Sequence, residues 1–118
     1  MSELVSWNLR VSIRQDQLEA FRTLMQEMVT STEAESGTLG YELFISSDDT
    51  ECHIHERYAN SAGALAHLGH FGSRFAERFL GCVEPTSILV YGEPSDEVRT
   101  ILDGFGAIYF GTLGGFSR

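Results

Sequence analysis

Hydrophobic and polar residues alternate from position 4 to 13. Val5, Trp7, Leu9, Val11 and Ile13 fall on one side, and Ser6, Asn8, Arg10 and Ser12 on the other. A period of two describes a strand with one buried face. From 16 to 35 the period lengthens. Leu18, Phe21, Met25, Met28, Val29 and Thr32 recur at helical spacing, which predicts an amphipathic helix. Asp16 and Glu19 resemble a capping box at its start, and Gly37 is placed to stop it. Alternation returns over 38–46, with Leu39, Tyr41, Leu43 and Ile45 on one face. It continues over 51–58, where Cys52, Ile54, Glu56 and Tyr58 oppose His53, His55 and Arg57. The polar stretch 47–50 between these runs predicts a hairpin.

Asn60 or Ser61 can cap a short helix reaching His67 or Leu68, with Gly69 as its interruption. Phe71, Phe75 and Phe79 are four apart and predict one face of a further helix, closed by Gly81. Residues 84–92 form the fourth strand, centred on Ile88, Leu89, Val90 and Tyr91. Ser95 caps a last helix whose first turn holds Asp96 and Glu97, where acids suit the positive end of the helix dipole. Its apolar stripe is Val98, Ile101, Leu102 and Phe105. The tail 106–118 reads as an extra strand with an extended, glycine-rich arm.

This order is the ferredoxin-like split β-α-β sandwich, an α+β fold with a four-stranded antiparallel sheet and helices on one face. The other face also carries aromatic and apolar residues, so a second copy is expected to cover it, giving a homodimer of the dimeric α+β barrel type. Residues 1–118 read as a single domain in which 93–118 are a C-terminal helix and extension.

Composition narrows the function. The chain has 118 residues, 42% of them hydrophobic, enough for one domain with a real core. Its net charge is −9, and all eight basic residues are arginine. Nucleic-acid binding needs a basic footprint that is missing here, and an anionic membrane surface is disfavoured for the same reason. No basic-then-apolar leader and no run of membrane-spanning length is visible, so a cytoplasmic protein is expected. Two cysteines, Cys52 and Cys82, do not make a disulfide framework and read as reduced and structural.

Three segments carry a family resemblance: Glu35-Ser36-Gly37-Thr38-Leu39-Gly40-Tyr41-Glu42, then Glu56-Arg57-Tyr58, and Ala66-His67-Leu68-Gly69-His70-Phe71 after Ser61-Ala62. Together they resemble the antibiotic-biosynthesis monooxygenase-like family of dimeric α+β barrels, over roughly Val5 to Tyr91. The family shows a Gly-x-x-x-Tyr pattern leading into a strand, a strand ending in Glu-x-aromatic, and a helix with a histidine just before a small-residue, Phe-containing segment. The resemblance implies a homodimer with a pocket between sheet and helices. It also implies oxygenation of quinol or polyketide-quinone substrates using no metal or flavin cofactor. Haem-degrading relatives use an Asn in the first strand, where Asn8 stands, but a Trp where this chain has Tyr58, which speaks against haem degradation.

With that family in view, His67 is the candidate catalytic residue. Its imidazole can take a proton from an acidic phenol or hydroquinone, and the resulting electron-rich anion can react with oxygen. Gly63 and Ala64 are small and would leave room beside it. Tyr58 can stack on a planar substrate, and a buried Glu56 would hold its proton more tightly unless paired. Trp7, Asn8, Tyr41, His70 and Phe71 complete the expected substrate-binding set. His53 and His55 share a strand face and could hold a metal with His67 or His70 as third ligand, or simply belong to a polar interface. No nucleophile elbow, phosphate loop or dinucleotide fingerprint is present. The sequence leaves two functions open: a cofactor-independent monooxygenase for a small aromatic or quinol, or a non-catalytic dimeric module that binds a small ligand. The second predicts a filled core with His67 tied to backbone or carboxylate.

Overall fold

The computed structural model describes residues 3–118. Strand β1 (Val5–Ile13) lies at the centre of the sheet. It pairs antiparallel with β3 (Glu51–Tyr58) on one side and β4 (Val83–Gly92) on the other. β2 (Thr38–Ile45) extends the sheet beyond β3 through the hairpin. The turn between them is fixed by Asp48 Oδ1, which accepts from the hydroxyls of Ser46 and Thr50. The alternation holds as read: Val5, Trp7, Leu9 and Val11, and opposite them Cys52, Ile54, Glu56 and Tyr58, are all buried on one face.

The four-strand expectation is corrected. The sheet has five strands in the order β2-β3-β1-β4-β5, and the last, β5 (Ile108–Phe110), runs parallel to β4. Parallel neighbours need a crossover, and helix α4 (Asp96–Asp103) supplies it. Ser95 caps α4 as its position implies, its hydroxyl accepting from Val98 N.

Helix α1 (Leu18–Glu33) buries Phe21, Leu24, Met25, Met28 and Thr32. Its capping box does not form. The N-cap is Gln17, with no side-chain cap, and Asp16 sits one residue too early in a left-handed conformation, φ 64°. Helix α2 (Ser61–Arg74) is longer than its glycines suggest. Asn60 caps it, accepting from Gly63 N at 2.9 Å, and it runs straight through Gly69. A mid-helix glycine costs only about 1 kcal/mol relative to alanine, which packing of Ala64, His67, Leu68 and Phe71 against the core outweighs. The break comes at Phe75, which joins α2 to α3 (Ala76–Cys82). The Phe71, Phe75 and Phe79 stripe therefore spans two helices, with Phe71 edge-on to Phe79 at 5.3 Å.

One backbone contact sets the start of α2 against the chain entering β2. A Cβ on Gly63 would lie 2.7 Å from the carbonyl oxygen of Gly37, and a Cβ on Gly37 would lie 2.7 Å from Gly63 Cα. Only glycine permits this approach of backbone to backbone. It brings Glu35, two residues before Gly37, under His67, one turn beyond Gly63. The small residues here do not make room beside His67, contrary to expectation. They close the gap between two chain segments, and Ala64 is fully buried. Both cysteines are buried and free, and burial pushes the Cys52 thiol up to about 11, so it stays protonated and inert as a structural role requires.

Candidate active site

The sheet register lays out one row of side chains on the buried face. Glu56 of β3 stands between Trp7 of β1 and Tyr41 of β2. Tyr58, two residues on, shares that face and donates its hydroxyl to Glu56 Oε1 at 2.5 Å. His67 comes down from α2 onto this row. Its ring lies 5.4 Å from those of both Tyr41 and Tyr58.

The imidazole of His67 lies between two carboxylates. Nδ1 is 3.0 Å from Glu35 Oε1 and Nε2 is 3.4 Å from Glu56 Oε1. All three side chains are only 5 to 6% exposed. Glu35 also accepts from Thr38 Oγ1 at 2.9 Å and faces His70 Nδ1 at 2.8 Å through Oε2.

The two carboxyls are driven in opposite directions. For Glu35 burial acts to raise the pKa, but hydrogen bonds from His70 and Thr38, with the charge of His67, outweigh it and hold the group below its ordinary value. For Glu56 burial dominates and pushes the pKa up, with His67, Tyr58 and Trp7 offsetting only part of the cost. Burial and the neighbouring Glu56 push Tyr58 well above the usual phenol range, so its proton stays in place as a donor. Carboxyls whose environments separate their proton affinities in this way mark an acid–base site.

The raised Glu56 bears on stability as well. A group whose folded pKa is raised stabilises the fold below its unfolded pKa, and that contribution disappears as pH rises through the folded value. Glu56→Gln keeps the shape and the Tyr58 hydrogen bond but cannot ionise. Its melting temperature is expected to exceed that of wild type at pH 8 and to converge with it towards pH 4. Melting curves across that range check it.

A cavity of about 30 Å³ adjoins the row. Trp7, Tyr41, Glu56, His67 and Phe71 line it, together with Leu102 and Phe105 from the chain's C-terminal part. Other expected residues fall elsewhere. Asn8 follows Trp7 on the same strand, so its side chain points to the opposite sheet face, where its Oδ1 is buried without a partner. Tyr58 is fully buried behind Glu56 and holds that carboxyl instead of offering a ring to a ligand. His70 touches Glu35 but not the cavity, and its side chain is 43% exposed.

His53 and His55 lie on the open sheet face, with the sheet between them and His67 or His70, which cannot serve as a third ligand. His53 pairs with Glu51 at 3.1 Å and His55 stacks near Phe44. Among the described residues, no group of three His, Cys, Asp or Glu side chains is placed to hold a metal. The residue that sequence reasoning missed is Glu35. A carboxylate just past a helix C-terminus faces the negative end of the dipole, and an acid in so poor a place was the available signal that another partner holds it.

Fold and site together define a split β-α-β protein with a buried carboxylate–imidazole–carboxylate cluster under its helices. The profile of the family described as antibiotic biosynthesis monooxygenase matches residues 5–80, and the chain belongs to that family. Among solved structures it is similar to MupZ from Pseudomonas fluorescens, with 26% identity and a TM-score of 0.88 over 100% of this chain and 91% of that one. It is also similar to Rv0793 from Mycobacterium tuberculosis, with 27% identity and a TM-score of 0.68 over 79% of this chain and 97% of that one. SnoaB, a cofactor-independent oxygenase from Streptomyces nogalater, shares the fold at 10% identity and a TM-score of 0.68, over 80% of this chain and 96% of that one. A search of curated proteins finds no match. Among the described residues no helix is long and apolar enough to cross a membrane.

Proposed function

We propose that this protein is a cofactor-independent monooxygenase acting on a small aromatic or quinol-type substrate at His67. The observation that carries the reading is the line Glu35–His67–Glu56 at the wall of an otherwise apolar cavity, in a chain of the monooxygenase family. Glu35, ionised, accepts a hydrogen bond from the Nδ1–H of His67 and fixes the tautomer. Nε2 then faces the cavity beside Glu56 with its lone pair free. It removes the proton of a phenolic hydroxyl, and the electron-rich anion reacts with oxygen. One oxygen atom enters the substrate and the other leaves as water, the substrate supplying the electrons. Glu56, which holds its proton more tightly than an exposed carboxyl, gives it to the oxygen that leaves as water and is reprotonated by the proton that His67 took. The water's second hydrogen comes from the substrate's ring carbon. Trp7, Tyr41 and Phe71 offer the faces against which a ring packs.

The non-catalytic reading is met in one respect, since His67 is tied to carboxylates. It is not met in the other: the ring abuts a cavity. A merely structural histidine needs one partner, whereas burying two carboxylates around it is a costly way to fill a core compared with apolar packing. Oxygen uptake with a panel of hydroquinones, comparing wild type with His67→Ala, tests the proposal. The variant is expected to lose about 10²- to 10⁴-fold in rate. Equal rates would remove His67 from the mechanism, and no uptake by wild type with any member would defeat oxygenation.

The homodimer belongs to the same proposal. Phe44, Tyr91, Ile108 and Phe110 are exposed and share the open sheet face with the unpartnered Asn8 Oδ1 and Arg10 Nε. A second copy covering this face would bury the apolar side chains and supply polar partners. Light scattering should give twice the monomer mass, reduced to one by Phe110→Asp.

A further inference from the structure

The cavity beside His67 is too small for the substrate proposed for it. At about 30 Å³ it has room for one or two water molecules, whereas a cavity of about 150 Å³ accommodates benzene. Part of its wall must give way when a ring enters. Most of the wall is not free to move. Trp7, Leu9, Ile54 and Ile88 belong to paired strands, and Phe79 is wedged between Phe21 and Phe71.

Met28, Tyr41, Leu68 and Phe71 line the cavity from α1, β2 and α2, and two further lining residues, Leu102 of α4 and Phe105 just after it, sit on a segment beyond the family-matched residues 5–80. α4 itself is clipped at both ends. Ser95 N donates to Ser61 Oγ at 2.9 Å. The Tyr109 hydroxyl donates to Asp103 at 2.6 Å, and the Arg99 guanidinium lies 4.4 Å over the Tyr109 ring. Phe105 is different. It lies past the helix in a turn between Gly104 and Gly106, and Gly106 has a φ of 75° that other residues rarely adopt. Its ring is only partly buried, packed against the core.

We propose that Phe105 is the plug of this site. Its ring fills the place that the substrate's ring takes, and it swings out on its glycine-flanked turn when substrate enters. Phe105, with Leu102 behind it, then sets the size of ring accepted, so substrate selection lies in the C-terminal segment and proton transfer in the family core. The ligand class is a planar, otherwise apolar ring whose hydroxyl reaches His67 and Glu56. The inference rests on the reading of the cavity as the substrate site.

The test uses the full chain and 4-iodophenol, whose heavy atom quenches tryptophan on contact. The single tryptophan, Trp7, lines the cavity and is 3% exposed, so quenching reports entry. Phe105→Ala is expected to bind about tenfold more tightly than wild type, the scale on which pocket volume discriminates ligands. Phe105→Leu, which keeps apolar bulk, should fall between them and is read alone if the alanine variant does not fold. Leu80→Ala, at an exposed position outside the cavity, should match wild type. In wild type the Phe105 ring resonances should shift as 4-iodophenol is added. Folded Phe105 variants with wild-type affinity, or unmoved Phe105 resonances, would overturn the proposal. Because binding is read without oxygen, tight binding with no oxygen uptake defeats the oxygenation reading and leaves the plug, while oxygen uptake with unchanged binding does the reverse.

Discussion

Glu35→Gln is expected to lower turnover by about 10²- to 10⁴-fold while leaving the fold intact, the scale on which an acid orients and stabilises a catalytic histidine. The amide cannot accept the Nδ1 proton as a charged group does, and it presents an N–H where His67 and His70 now meet an anion. His67 then loses the partner that fixes which nitrogen faces the cavity. A purely structural Glu35 would lower stability and leave the rate per folded molecule near wild type. ¹⁵N spectra of the imidazole separate the cases, because the proposed role requires the tautomer to shift in the variant.

Stability carries its own signature. The folded-state pKa of Glu35 lies below its ordinary value, so its contribution is present above the unfolded pKa and is lost as pH falls through the folded one. Wild type should therefore exceed Glu35→Gln in stability at pH 7, and the gap should close in acid. This is the reverse of the trend expected for Glu56→Gln, so the pair of profiles tests the assignment of the two carboxyls.

Gly63→Ala should be a severely damaging single-methyl change. The added Cβ would meet the Gly37 carbonyl at 2.7 Å, and backbone cannot step aside as a flexible side chain can. Overpacking of this kind costs about 3 kcal/mol, a fall in melting temperature on the order of 10 °C for a domain this size. Gly69→Ala, in the same helix, is the control. Nothing lies within 4 Å of its added Cβ, so the variant should gain about 0.5 to 1 kcal/mol from helix propensity. Should Gly63→Ala fold at low temperature, it should also be impaired in catalysis, because α2 can relieve the clash only by drawing His67 away from Glu35.

Much of this was legible in the sequence, for identifiable reasons. Strict alternation in β1 and β3 places Trp7, Glu56 and Tyr58 on one face, since a strand leaves no other choice. Asn8 enters the candidate set by family resemblance alone, and the same alternation turns its side chain to the other sheet face. The helices were harder. Gly69 carries the breaker signal, yet the break falls at Phe75, because packing outweighs a propensity of about 1 kcal/mol. Glu35 could not be assigned from its neighbours alone. It meets His67 across 32 residues, and that distance closes only through the Gly37–Gly63 approach, whose significance depends on both glycines at once. The fifth strand was legible only as a possibility, since three residues carry too little pattern to establish pairing.

That short strand has a consequence of its own. β1 is hydrogen-bonded along both edges, whereas β5 pairs three residues with β4 on one edge only, exposes two of them and is otherwise tied to α4 through Tyr109. Opening free energies in a protein range from near zero at such margins to the full unfolding free energy at a doubly paired centre. β5 can therefore detach and return many times in each lifetime of the folded chain without disturbing β1. Phe105 lies three residues before this strand, so the motion that frees the cavity wall comes from the least stable margin of the sheet, and the acid–base row beside β1 remains fixed while it happens.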